Sequence, residues 1–374
     1  MKVGLLTFHR ATNYGTALQA YASVTALRDV GVDAEIVDYR PEYIERTARV
    51  MSLRDVHSFK NLLGYGAEMV FRRRTKKNRI KEFGEFIEEL PMSETFYDKN
   101  LLGERCAGYD LILSGSDQIW NPIISEGDMS YFLPFGHPRK ASFATSFGAV
   151  RFSDEVTEEI AGYLRDFDFI SVREETAARY IRNMAQTLDG IPSPVAMLDP
   201  TLLYGIDWWR THSLPADLPK NGYILVYCLR PTPLILHAIE RVKRETGLPV
   251  LNIKPTKRDI LMRNGVNVGA SGPARFLSYL SGASYVVTNS FHGTAFSLNF
   301  EKPFVTVTYP VKNDLDINSR MTDLLALTGM SHRRATTEDE IDRIPLEVDF
   351  TDVRARLADA RKASWDILRE IVGK

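Results

Sequence analysis

This chain is poor in the features that usually announce a function. Its two cysteines, Cys106 and Cys228, both sit beside apolar residues. They read as small buried side chains rather than a disulfide or half of a metal site. Neither sign of charge dominates: 47 Lys and Arg face 48 Asp and Glu, so nucleic acid is not an expected partner. No apolar run is long enough for a membrane span, and the opening MKVGLLTF is too short for a signal peptide. The expected location is therefore the cytoplasm. Dinucleotide fingerprint, Walker loop, nucleophile elbow, H-E-x-x-H and paired C-x-x-C are all missing. The histidines outside residue 292 are scattered, without metal-ligand spacing, so neither metal nor cofactor is expected.

What is present is an ordinary globular composition, 44% hydrophobic and 25% charged over 374 residues. A single core stops growing near ~250–300 residues, so two domains are expected. Short apolar runs alternate with helical patterns: strands over 3–8, 34–39, 111–113, 141–145 and 169–172, then 223–229, 250–253, 285–287 and 304–308. This rhythm predicts an α/β protein with two Rossmann-like domains facing across a cleft. The first spans residues 1–195 and carries a helical basic insertion at about 52–90; the second spans 196–345. Residues 346–374 read as a C-terminal helix packing back on the first domain. A helix from Pro273 is expected to be capped by Ser271, and another to begin at Thr294.

Ligands of open α/β sheets bind beyond the carboxyl ends of strands, so the loops there supply the candidate residues. The strand at Tyr285 runs into TNSFHGT, where Asn289, Ser290, His292, Gly293 and Thr294 precede a helix. Its free N–H groups and positive dipole end suit a phosphate or carboxylate, and His292 is a proton donor near neutral pH. Arg173 ends the strand of ISVREE, the place for a bidentate anion contact or for a structural pair with Glu174 or Glu175. Arg320, at the start of another helix, is a surface charge or a second anion clamp. In LSGSDQIWN, Asp117 could deprotonate a sugar hydroxyl, Ser116, Gln118 and Asn121 could bond a saccharide, and Trp120 could stack on its ring. The same segment also reads as a satisfied turn with a core tryptophan. Asn13, Tyr14 and Gly15 precede the first helix, where glycine either lets the backbone approach an acceptor sugar closely or simply makes the turn. The basic run from Arg72 to Lys81 is a solvated helix face or a contact for anionic headgroups at the inner face of the membrane.

In order, NYGTALQAYA, VDYRP, SGSDQIWN, SFATSFG, SVREE, LDPTLL, TNSFHGTAFS and SRMTDLL span most of the chain. The set resembles the polysaccharide pyruvyl transferase family. The resemblance implies a GT-B-like enzyme that moves the pyruvyl group of phosphoenolpyruvate onto two hydroxyls of a sugar, in a polysaccharide or its lipid-linked precursor. It also implies that His292 and Arg173 serve the donor. Family members often carry a basic residue two positions before the histidine, where this chain has Ser290. That anion contact is either missing or supplied from elsewhere, with Arg320 the candidate. The rival expectations are a nucleotide-sugar glycosyltransferase on the same fold and a non-catalytic protein that binds an anionic glycan.

Overall fold

The computed structural model describes residues 1–49, 73–137, 139–148, 152–253, 265–309 and 318–374. Two parallel sheets form its frame. In the first, β1 (Lys2–Leu6), β2 (Asp33–Ile36), β3 (Leu111–Ser114) and β4 (Lys140–Ser142) lie in the order β2-β1-β3-β4. Bridges from Ile36 to Met92 and Tyr39 to Phe96 extend it beyond β2, and bridges from Ala141 to Phe169 and Thr145 to Val172 extend it beyond β4. The latter reach β5 (Ser171–Val172), which pairs with β6 (Val195–Ala196).

The second sheet contains β7 (Ile224–Tyr227), β8 (Val250–Asn252), β9 (Val266–Asn267), β10 (Tyr285–Thr288), β11 (Phe304–Val307) and β12 (Arg334–Ala335). Its order is β12-β11-β10-β7-β8-β9. The segments LILS, ILVY, YVVT and FVTV are buried at every position. Helices cover both faces of such a sheet, so its strands appear as unbroken apolar runs rather than alternating patterns.

Each sheet reverses its strand order once, between β1 and β3 and between β7 and β10. Loops leaving such a pair diverge and open a crevice at the strand ends. Helix α1 (Tyr14–Asp29) starts from the first crevice. Helix α2 (Arg73–Glu88) belongs to the basic insertion, of which residues 50–72, including Arg72, lie outside the described residues. Helix α3 (Phe291–Asn299) starts from the second crevice, three residues earlier than the Thr294 start expected from the sequence. His292 is therefore in the first helical turn. The helix Pro273–Ser281 is capped by Gly272, not Ser271, whose hydroxyl donates back to the Val268 carbonyl at 2.8 Å.

The domains interlock through Tyr14, which is fully buried. Its ring stacks on Phe276 at 4.8 Å and its hydroxyl donates to the Ser271 carbonyl at 2.9 Å. The final helix, α4 (Thr351–Ile371), crosses back from the second sheet to the first. Its Ser364 hydroxyl accepts from the Leu198 amide at 2.9 Å, and Arg361 donates to the Leu202 carbonyl at 2.8 Å. Leu368, Ile371 and Val372 join the apolar cluster of Val3 and Leu27, and Lys374 donates to the Val30 carbonyl at 2.8 Å. Among the described residues, no helix is long and apolar enough to cross a membrane.

Candidate active site

The loop after β10 is built by hydrogen bonds that consume its own polar side chains. Asn289 accepts from the Leu229 amide and donates to the Arg230 carbonyl, both at 2.7 Å, tying β10 to the strand beside it. Thr294 donates to the Ser290 carbonyl at 3.1 Å and shares a 2.8 Å bond with Thr306. Ser290 caps α3, its hydroxyl accepting from the Gly293 amide at 3.4 Å. A methyl group on Gly293 would lie 2.2 Å from the Thr288 hydroxyl, so glycine there lets helix and strand approach. Asn289, Ser290, Gly293 and Thr294 were expected to touch the donor. In the structure all four shape the turn that presents His292.

His292 is 6% exposed and stands where the two crevices meet. A Cβ on Gly15 would lie 2.0 Å from its Nδ1, so the start of α1 touches the imidazole because residue 15 has no side chain. On the other side, His292 Nε2 is 3.7 Å from Asp199 Oδ2. That distance is too long for a hydrogen bond, and Nε2 has no hydrogen-bond partner. Asp199 is the centre of the cluster. Its Oδ2 accepts from Arg173 Nη1 at 2.8 Å and from the Ser116 hydroxyl at 3.2 Å. Its Oδ1 caps the helix Pro200–Leu203, accepting from the Thr201 amide and hydroxyl at 2.9 and 2.6 Å. Burial alone would favour the neutral acid, but His292, Arg173 and Thr201 outweigh it and hold the carboxyl well below its ordinary range.

Arg173 lies 4.3 Å over the Phe291 ring and keeps Nε and Nη2 buried without partners. Its Nε is 3.6 Å from Glu174 Oε2. Burial opposes its charge, but Asp199, Glu174 and Asp117 together hold it above its ordinary value. Arg320 approaches the same ring at 6.0 Å, with an unpartnered Nε. Burial, then repulsion from Arg173, pushes it down to about 10. Glu174 takes a 2.7 Å bond from Ser146 on one oxygen and none on the other, and burial raises its carboxyl. Arg173, Glu174, Asp199, Phe291 and Arg320 line one cavity of about 410 Å³. Buried N–H groups are nearly always paired in folded proteins, whereas Arg173 Nε and Nη2 and Arg320 Nε beside this cavity have no hydrogen-bond partner.

Several polar residues of the first-domain loops make hydrogen bonds within the protein. Asp117 has a left-handed backbone, φ 78°, and its carboxylate accepts from the Thr16 hydroxyl at 2.7 Å and the Gln118 amide at 2.8 Å. Non-glycine residues at such angles concentrate at functional sites. Trp120, expected as a platform for a sugar ring, has no exposed face in this structure. It is fully buried against Phe132 and donates to the Ser114 hydroxyl at 2.9 Å. Asn121 closes a turn by accepting from the Ile123 amide at 3.0 Å, and Tyr14 is the wedge between domains. Asn13 caps α1 and accepts from the Tyr227 hydroxyl at 3.3 Å. Of the basic run, Arg79 turns inward over the Tyr14 ring at 4.7 Å and donates to the Thr12 carbonyl at 3.0 Å. Arg74, Lys77 and Lys81 are exposed.

Asp199, Glu174 and Thr16 were not singled out as site residues. An aspartate before proline reads as a helix cap, which Asp199 also is. Only the third dimension shows that its second oxygen faces Arg173 and His292. Among the described residues, no three His, Cys, Asp or Glu side chains converge to hold a metal ion.

A family model described as polysaccharide pyruvyl transferase matches residues 13–310. No curated protein matches the sequence. Among solved structures, the chain is similar to a UDP-N-acetylglucosamine 2-epimerase from Rickettsia bellii, with TM-score 0.52 and 13% identity over 100% of this chain and 96% of that one. A putative UDP-N-acetylglucosamine 2-epimerase from Listeria monocytogenes gives TM-score 0.50 and 10% identity over 99% and 90%. At these identities the likeness establishes the two-domain GT-B arrangement and nothing about substrate.

Proposed function

The chain belongs to the polysaccharide pyruvyl transferase family, and from that premise we propose that it transfers the pyruvyl group of phosphoenolpyruvate to two hydroxyls of a saccharide. The transfer closes a cyclic ketal and releases inorganic phosphate. The observation that carries this reading is the convergence of buried, unpartnered N–H groups from Arg173 and Arg320 on one cavity, with His292 a single carboxylate away. A donor bearing both a carboxylate and a phosphate needs two fixed cations, and Arg320, which lines the same cavity as Arg173, is the candidate for the contact that Ser290 does not offer.

In this reading His292 protonates the methylene carbon, and the neighbouring carbon becomes oxocarbenium-like. A sugar hydroxyl adds there and passes its proton to Asp117, which Thr16 and Gln118 hold in place. A second hydroxyl then displaces phosphate, whose C–O bond breaks as the ketal closes, and its proton leaves with the phosphate. General acid catalysis is worth ~10²–10⁴-fold, and one preorganised anion contact ~10²–10³-fold. The exposed Arg74, Lys77 and Lys81 are the residues left for anionic headgroups around a lipid-linked acceptor.

The test is phosphate release from phosphoenolpyruvate with a panel of hexose and N-acetylhexosamine glycosides, alongside thermal shifts with phosphoenolpyruvate and UDP-N-acetylglucosamine. The reading predicts stabilisation by phosphoenolpyruvate alone, abolished in Arg173→Ala. Stabilisation by the nucleotide sugar instead would overturn it.

A further inference from the structure

The cavity that holds the arginine pair is mostly not polar. Beyond Arg173 and Arg320 its wall is made by Met197, Leu198, Leu202 and Leu324, all buried. Its lip is Leu327, a large apolar side chain left 45% exposed, with Ala360 and Ala363 from α4 opposite. A fully polar three-carbon anion fills only the arginine end of about 410 Å³ and leaves this wall wet. Pockets of such a size with a few convergent polar groups and apolar walls suit ligands that carry both characters.

The charges at the polar end favour an anion. Four carboxyl groups border the cavity; all are paired except at Glu174 Oε2, which is buried without a hydrogen bond 3.6 Å from Arg173 Nε. Asp199 and Glu174 face Arg173, Glu175 pairs with Arg182, and Asp323 accepts from the Thr176 amide at 2.7 Å. The groups without hydrogen-bond partners include Arg173 Nε and Nη2 and Arg320 Nε. A phosphate monoester offers three acceptor oxygens to such a pair.

We infer that this cavity binds a single-chain phosphate amphiphile, with its headgroup on Arg173 and Arg320 and its hydrocarbon chain along Leu198, Leu202 and Leu324 toward Leu327. The inference uses the arginines assigned above to the donor but does not depend on what the donor is. Its consequence is competition: a lipid phosphate in the cavity excludes any other anion from the arginine pair.

The probe is decyl phosphate below its micelle concentration, titrated into the full chain by calorimetry beside inorganic phosphate and decanol. Each buried methylene strengthens binding, so decyl phosphate is expected to bind roughly tenfold or more tightly than phosphate. Ala363→Phe, at an exposed position, blocks the lip; it should remove that advantage and leave phosphate binding intact. Arg320→Gln should weaken both anions. Equal affinity for decyl phosphate and phosphate in the wild type, or an advantage that survives Ala363→Phe, overturns the inference. Decanol binding as tightly as decyl phosphate would overturn it too. Turnover of phosphoenolpyruvate is measured separately: turnover without decyl phosphate binding sinks this inference alone, and the reverse sinks only the proposed reaction.

Discussion

Replacing Gly15 with alanine adds one methyl group at the point where the two domains bring their helix starts together. The new Cβ would lie 2.0 Å from His292 Nδ1 and 2.2 Å from its Cγ. Ordinary van der Waals contact begins at 3.4 Å, so the ring must retreat by about 1.4 Å or α1 must tilt. A misplacement of ~1 Å costs roughly 10²-fold in a positioned reaction, and the expected result is a fall of about that size in kcat. The fold should survive. Gly15 has ordinary helical geometry at the second position of α1, where alanine gains ~0.5–1 kcal/mol over glycine and offsets part of the clash. Phosphate release against substrate concentration separates kcat from KM, and a thermal melt checks the fold. Near-normal kcat in a folded Gly15→Ala protein would refute a catalytic imidazole at this position.

Other perturbations discriminate different parts of the account. Asp199→Asn removes the counter-charge of Arg173 in a buried cluster, and breaking such pairs costs ~3–5 kcal/mol; denaturant titration should show a loss of this order. Trp120→Phe keeps a ring against Phe132 and loses the bond to Ser114. It should destabilise by about 1 kcal/mol without changing saccharide affinity, whereas a sugar platform would lose affinity. Asp38 is buried with bonds from His9 at 2.8 Å, Arg40 at 2.6 Å and Thr95 at 2.6 Å. Burial opposes its charge, but these partners depress its folded pKa below the ordinary 3.8. A depressed carboxylate contributes fully above its unfolded pKa and loses that contribution as pH falls toward the folded one. The melting temperature should therefore be insensitive to Asp38 titration above about pH 5 and decline below about pH 4, with a shallower decline in Asp38→Asn.

The sheet strands were legible because both faces are covered, so LILS, ILVY, YVVT and FVTV read as continuous apolar runs. Helix starts were less so. The α3 start was misplaced because a cap at Ser290 followed by Phe291 looks like loop until the Gly293 amide is seen to bond back. His292, Arg173 and Arg320 were candidates because of their places at strand ends and helix starts, and the fold gathers all three around Phe291 or Asp199. The polar residues beside them have a structural task that the sequence does not show. A tight turn at a strand end needs hydrogen bonds of its own, and Asn289, Thr294 and Asn121 supply them internally. A polar side chain serving the turn has the same letter as one serving a ligand. His9 illustrates the converse, since no sequence offset pairs it with Asp38, yet the two meet at 2.8 Å because β1 and β2 lie side by side.

The central claim is that the pyruvyl donor is held by Arg173 and Arg320 beside His292. A structure of the complex with phosphoenolpyruvate tests it most directly. Carboxylate and phosphate oxygens are expected within ~3 Å of the open guanidinium N–H groups, with the methylene carbon against the imidazole. Phosphoenolpyruvate bound elsewhere, with both guanidinium groups still unpartnered, would contradict it.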